Sequence, residues 1–237
     1  MGWHLKDYDA IVKELGSSRD GLSIEEARRR LEEYGPNLLK EKKKRTLLAM
    51  FLDQFKDFMI IVLIAAAVIS GLIGDAADTI AIVVIVVLNA LIGFVQEYRA
   101  EKAIAALKKM AAPSAVAVRS GSHETVPAFE LVPGDIVLLE AGNVVPADLR
   151  LIETAQLKCE EAALTGVSAP VEKHTKTLHE KDLPLGDRKN MTYSGTSVVY
   201  GRGAGVVVAT GTDTELGRIA ALLQESEDVK TPLQKRL

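Results

Sequence analysis

Two stretches without a single charged side chain, Phe58 to Gly74 and Thr79 to Gln96, constrain this chain of 237 residues more than any other feature. As helices rising about 1.5 Å per residue, each run reaches roughly 26 Å, close to the hydrocarbon thickness of a bilayer once flanking residues are added. Ile80 to Leu88 reads Ile-Ala-Ile-Val-Val-Ile-Val-Val-Leu and has no polar face. A helix on a soluble core needs one, so two membrane spans are expected here rather than a buried soluble hairpin. Only Asp75, Ala76, Ala77 and Asp78 separate the runs, which makes the helices antiparallel neighbours with both outer ends on one side. Lys40, Lys42, Lys43, Lys44, Arg45 and Lys56 precede the first run, Arg99, Lys102, Lys108 and Lys109 follow the second, and the link carries only acids. Because basic residues are retained on the cytoplasmic side, both termini are expected in the cytoplasm, with the lipid bilayer as a partner. Topological bias and attraction to anionic headgroups explain the basic cluster without invoking nucleic acid. The short loops suit the inner (plasma) membrane of a prokaryote. No cleavable signal is read, since the apolar runs begin only at Phe58. Asn89, the most polar residue inside either run, is expected to serve helix packing.

The residues outside these runs have the composition of ordinary folded domains. With 48% hydrophobic and 26% charged residues and a net charge of −3, the chain is neither disordered nor a basic nucleic-acid binder. Its one cysteine, Cys159, excludes an intrachain disulfide, and His4, His123, His174 and His179 show no metal-ligand spacing and are expected in solvated loops. Ser23-Ile24-Glu25-Glu26 is a capping box for a helix that Gly35-Pro36 ends, and an earlier helix spans Tyr8 to Leu15. Together they form a small helical arm over residues 1–50. A hairpin and a charged stalk occupy 51–111, the second helix continuing through Glu97 to Lys109. From 112 to 237 the pattern becomes strand-like, with short strands at 115–119, 135–139, 149–152 and 205–209. Ser120-Gly121-Ser122, Ala141-Gly142-Asn143 and Gly201-Arg202-Gly203 are expected as chain reversals, and Thr212 with Glu215 as the capping box of a last helix.

No phosphate-binding G-x-x-x-x-G-K-[ST] and no nucleophile-histidine constellation occurs. The informative stretch is Val145-Pro146-Ala147-Asp148, followed by Cys159-Glu160-Glu161-Ala162-Ala163-Leu164-Thr165-Gly166-Val167-Ser168-Ala169-Pro170-Val171-Glu172-Lys173. It resembles the actuator domain of the P-type ATPases and its Thr-Gly-Glu-Ser loop. Val132-Pro133-Gly134-Asp135, Asn190-Met191 with Ser194-Gly195-Thr196, Thr214-Glu215-Leu216-Gly217 and Thr231-Pro232-Leu233-Gln234 match in order, and the arm is most similar to the calcium-pump branch. The resemblance implies a distorted β jelly-roll-like actuator domain on a membrane hairpin. It also implies a phosphatase loop at Thr165, Gly166, Val167 and Ser168, laid over an aspartyl-phosphate made on another domain of the pump. In the family the loop's glutamate deprotonates the attacking water. Glycine lets backbone approach the phosphoryl group, and a carboxylate accepts the proton.

Position 167 is valine, which has neither lone pair nor charge, so the hydrolytic role is absent from the sequence. An arrested dephosphorylation, a degenerate relative that does not pump, and a sequence error are the three readings of this departure. The phosphorylation motif Asp-Lys-Thr-Gly-Thr and the nucleotide domain do not occur in these residues, so the chain alone is expected neither to hydrolyse ATP nor to move ions. No cofactor or metal is assigned to it, and Mg-ATP and a transported cation are implied for the complete pump. The competing expectation is a stand-alone membrane-anchored module that regulates a pump by occupying its domain contacts.

Overall fold

Asp7 and Ser23 each accept a backbone amide three residues on, from Ala10 and Glu26, and so start α1 (Tyr8–Glu14) and α2 (Ile24–Tyr34). The computed structural model describes residues 2–39, 46–74, 76–110 and 113–227. They fall into two compact units, Met1–Lys40 with Ala112–Leu237 and, separately, Glu41–Ala111.

The second unit is helical. Thr46 caps α3 (Leu47–Gln54), which is bent by 65° from α4 (Phe58–Ile73), and α5 (Ala76–Met110) returns alongside. Asp57 accepts from Met59 to begin α4, and Gly74 closes it in the left-handed conformation. By length and composition α5 is apolar enough to cross a membrane, and α3 with α4 gives a second such segment if the bent pair is one span. Ala67, Val86 and Ala90 are buried, whereas most of the large apolar side chains of α4 and α5 are exposed. Within these helices Asn89 is exposed, and its neighbour Ala90 is the residue buried there. Gln54 donates to Glu97 Oε2 at 2.7 Å, and Phe51 meets Phe94 edge-on at 6.0 Å, which joins α3 to the polar continuation of α5.

The first unit is built on a seven-stranded antiparallel sheet. Its strands are β1 (Ser114–Arg119), β2 (Ser122–Pro127), β3 (Ile136–Glu140), β4 (Asp148–Glu160), β5 (Val171–Glu172), β6 (Met191–Thr192) and β7 (Ser197–Ala209). The order is β2-β1-β3-β7-β4-β5, with β6 also on β4. Alternation along the strands decides where the core lies. Val137 and Leu139 of β3 and Val207 of β7 enter one cluster with Leu149, Leu151 and Leu157. Ile136 and Val206, pointing the other way, enter a second cluster completed by Trp3 and Ile11 from the arm. A strand reading Ile-Val-Leu-Leu has no face fit for water, and the start of the chain supplies the missing cover. The arm is tied down by polar contacts too: Asn37 donates to the carbonyls of Ala128 and Pro146 and accepts from Gly211 N at 2.7 Å, and Ser120 N donates to Leu22 O at 3.0 Å.

Several local expectations change. Gly201-Arg202-Gly203 is no reversal but the interior of β7, paired on both sides, with Arg202 opposite Glu140 and Ala155. Gly201 has φ 76° at a bulge, and a Cβ there would stand 2.3 Å from Gln156 O. The last helix, α7 (Glu215–Glu227, after α6 described below), is capped by Thr214, whose hydroxyl accepts from Gly217 N at 3.0 Å, and not by Thr212. Asp148 reinforces that start by accepting from Ser194 N and Glu215 N, while burial raises its carboxyl pKa to about 6. His4 is not solvated: it is 2% exposed, its Nε2 meets Glu180 O at 3.1 Å, and burial pushes its pKa down. Cys159 is a free, buried thiol.

Candidate functional site

β4 ends at Glu160, and the chain leaves the sheet for the ten residues 161–170 before β5 pairs back on Lys158 and Cys159. Within the excursion Ala162–Thr165 forms a single turn, α6. It hangs from the Glu161 carbonyl, which accepts from Leu164 N at 3.0 Å, Thr165 N at 2.9 Å and Thr165 Oγ1 at 3.0 Å. Gly166 ends the turn at φ 74°. No atom lies within 4 Å of where its Cβ would be, so the left-handed backbone, and not lack of space, is the reason for glycine. The Thr165 hydroxyl also accepts from Val167 N at 3.3 Å, linking the two sides of the bend.

The four residues of the expected phosphatase loop are therefore brought together at one tip. Thr165 is half-buried, with its methyl 3.4 Å from where a Gly186 side chain would start, whereas Gly166, Val167 and Ser168 are exposed. Val167 is 52% exposed and supports no core. Beneath the tip lies a cleft of about 600 Å³, lined by Leu164, Val167, Pro170, Leu185, Asp187 and Lys189 among others. The tip presents backbone, a hydroxyl and an apolar side chain, a surface that can approach another group closely and can supply no proton acceptor at residue 167.

Glu161 and Lys173 lie within the motif but have no part in the loop that the resemblance implies. In the fold they form an ion pair of 2.5 Å, with both side chains 0% exposed. Burial pushes the Glu161 carboxyl up, and Lys173 offsets this in part. The available signal was their position, one at each root of the loop, next to the buried Cys159 and Leu157. Among the described residues no group of three or more His, Cys, Asp or Glu is placed to hold a metal ion.

Comparison with known families places this geometry. Residues 109–224 match the model of the P-type ATPase actuator domain, and residues 3–70 match the cation transporter/ATPase N-terminus. Among curated proteins the chain is 49% identical over 99% of its length to calcium-transporting ATPase 1 of Bacillus cereus, covering 27% of that protein. It is 48% identical over 93% of its length to a calcium-transporting ATPase of Bacillus subtilis, covering 25% of it. Against a probable cation-transporting ATPase F of Mycobacterium tuberculosis the identity is 48% over 92% of the chain and 24% of the relative. The chain thus spans about a quarter of the length of the curated relatives it matches.

Proposed function

Since the chain belongs to the P-type ATPases and carries the N-terminal and actuator regions of their cation-transporting members, we propose that it works as the actuator-bearing part of a calcium-transporting pump. In this reading the sheet unit is the actuator, a distorted jelly-roll, and its tip at Thr165, Gly166, Val167 and Ser168 is the part that meets an aspartyl-phosphate on the pump's phosphorylation domain. The phosphorylation and nucleotide domains of the same pump are its partners, and they, not this chain, take Mg-ATP. The observation that carries the reading is the exposed, glycine-turned tip, held out from a closely packed sheet with no core duty of its own. Val167 at that tip adds a specific expectation: the pump is phosphorylated but releases phosphate slowly.

A direct test joins this chain to the phosphorylation, nucleotide and remaining membrane regions of a bacterial calcium pump. The chimaera should form an acid-stable phosphoenzyme from ATP only when calcium is present, with little steady turnover. A chimaera that is never phosphorylated, or whose phosphorylation ignores calcium, would count against the pump reading. It would favour the second reading, a stand-alone membrane-anchored module that regulates a pump, which the valine at the tip also fits.

The same proposal places α4 and α5 across the inner membrane with both termini in the cytoplasm. Asp78→Cys should react with a membrane-impermeant maleimide on intact cells, and Ser168→Cys only after permeabilisation. The native thiol gives no background, because Cys159 is 0% exposed and burial raises its pKa. Labelling of both positions from the same side would refute this topology.

A further inference from the structure

Glu161 and Lys173 stand at the two roots of the loop, and their backbones are as firmly held as their side chains. The turn of α6 hangs from the Glu161 carbonyl. On the other side Lys173 N donates to Leu157 O at 2.9 Å and His174 N to Lys189 O at 3.0 Å, fixing the exit strand from both flanks. The side chains meet at 2.5 Å with no exposed surface. Apart from each other, the Glu161 carboxylate oxygens and Lys173 Nζ have no hydrogen-bond partner among the described residues. The ammonium lies 6.0 Å from the centre of the Tyr193 ring, which is itself buried.

A fully buried ion pair is a poor source of net stability, since the cost of removing two charges from water is comparable with the attraction gained, and a well-packed apolar pair often does as well. What the ion pair has and an apolar pair lacks is direction: each charge is satisfied only when the other stands at one place. Here that single arrangement joins the two strands from which the tip projects.

We propose that the Glu161–Lys173 pair is the positioning device of the tip, closing the neck of the loop in one register so that residue 167 is presented at a fixed height and angle. The proposal rests on the pump reading for what the tip faces, but not for how the tip is held.

The test uses the full chain in detergent micelles and reads two quantities, the melting temperature and the hydrogen exchange of the amides of Leu164 to Val167. Lys173→Met alone should lower the melting temperature and loosen the tip together. The decisive variant is Glu161→Leu with Lys173→Met, which removes both charges. Its melting temperature should stay within about 3 °C of the parent, while the tip amides exchange at least about tenfold faster and those of β1 and β3 keep their rates. The charge-swapped Glu161→Lys with Lys173→Glu should restore most of the tip's protection. Parent-like tip exchange in the apolar double variant would overturn the proposal, because the pair would then be only a filler of space. Should that variant not fold, the charge-swapped one decides: a protected tip supports the positioning role, and an unprotected tip on an intact sheet overturns it. None of these outcomes depends on phosphate chemistry, so a failure of the pump reading leaves them separately readable.

Discussion

In a pump assembled around this chain, Val167→Glu should speed decay of the phosphorylated intermediate by at least about 100-fold, and by as much as about 10,000-fold. The size follows from what a positioned general base contributes, about 3 to 5 kcal/mol of barrier for the step in which water attacks phosphorus. The fold offers no obstacle to the change. Val167 is exposed, its amide is held by the Thr165 hydroxyl whatever its side chain, and Gly166 already provides the bend that points the next residue outward. A glutamate there disturbs no packing and adds the one group that the tip lacks. Val167→Gln, similar in length but unable to accept a proton at neutral pH, should leave decay close to that of the parent. Rapid-quench measurement of the phosphoenzyme after a chase with unlabelled ATP gives the rates. Equal decay with valine and glutamate would show that residue 167 does not limit dephosphorylation, and the arrest would have to be abandoned.

The second large effect is on folding. Asp135 is fully buried and receives a two-pronged contact from Arg119, at 3.0 Å through Nε and 2.7 Å through Nη2, together with the amide of Val132 at 3.0 Å. Asp135→Asn keeps the shape and removes the charge, which leaves the Arg119 guanidinium buried without a counterion at a cost of about 3 to 5 kcal/mol. For a domain of this size that corresponds to a fall in melting temperature of roughly 6 to 20 °C, measurable by circular dichroism in detergent. The exposed pair of Lys6 with Glu14 is the control, with side chains 35% and 49% open to solvent. Glu14→Gln should shift melting by no more than about 3 °C, since such pairs are worth about 1 kcal/mol or less. Equal small shifts in the two variants would mean that Arg119 finds another partner when Asp135 is neutral.

Which parts of this arrangement could be read in the residues follows from the range of the interactions. The limits of α2 and α4 were legible because their causes are local: Gly35 next to Pro36, Gly74 after an uncharged run, and a serine three residues before Glu26 act within one turn. The tip was placed by family resemblance and not by any local rule, although its bend is local, made among Thr165, Gly166 and Val167. β2 was missed because it is an edge strand of Ser-His-Glu-Thr-Val-Pro with only Val126 buried, so it lacks the apolar alternation that marks a strand. Gly201 to Gly203 misled because glycine marks reversals and bulges alike, and which one forms depends on Gln156 and Glu140 across the sheet. Trp3 and Ile11 carry no local sign that they cover strands more than a hundred residues away. Glu161 and Lys173 read as ordinary charges until the fold buries both, since nothing in their own neighbourhoods announces the pairing.

The way the arm is woven into the sheet has a consequence for synthesis. The first forty residues leave the ribosome well before the strands they cover, and Asn37 cannot exchange water for its native partners until Ala128, Pro146 and Gly211 have all appeared. Between those events the chain must make the whole excursion of residues 41–111. Nascent Trp3 and Ile11 therefore wait, uncovered, for partners on the far side of a long insertion. Within this unit, residues made early complete the cover of strands made later, and a fragment begun after residue 111 would lack that cover.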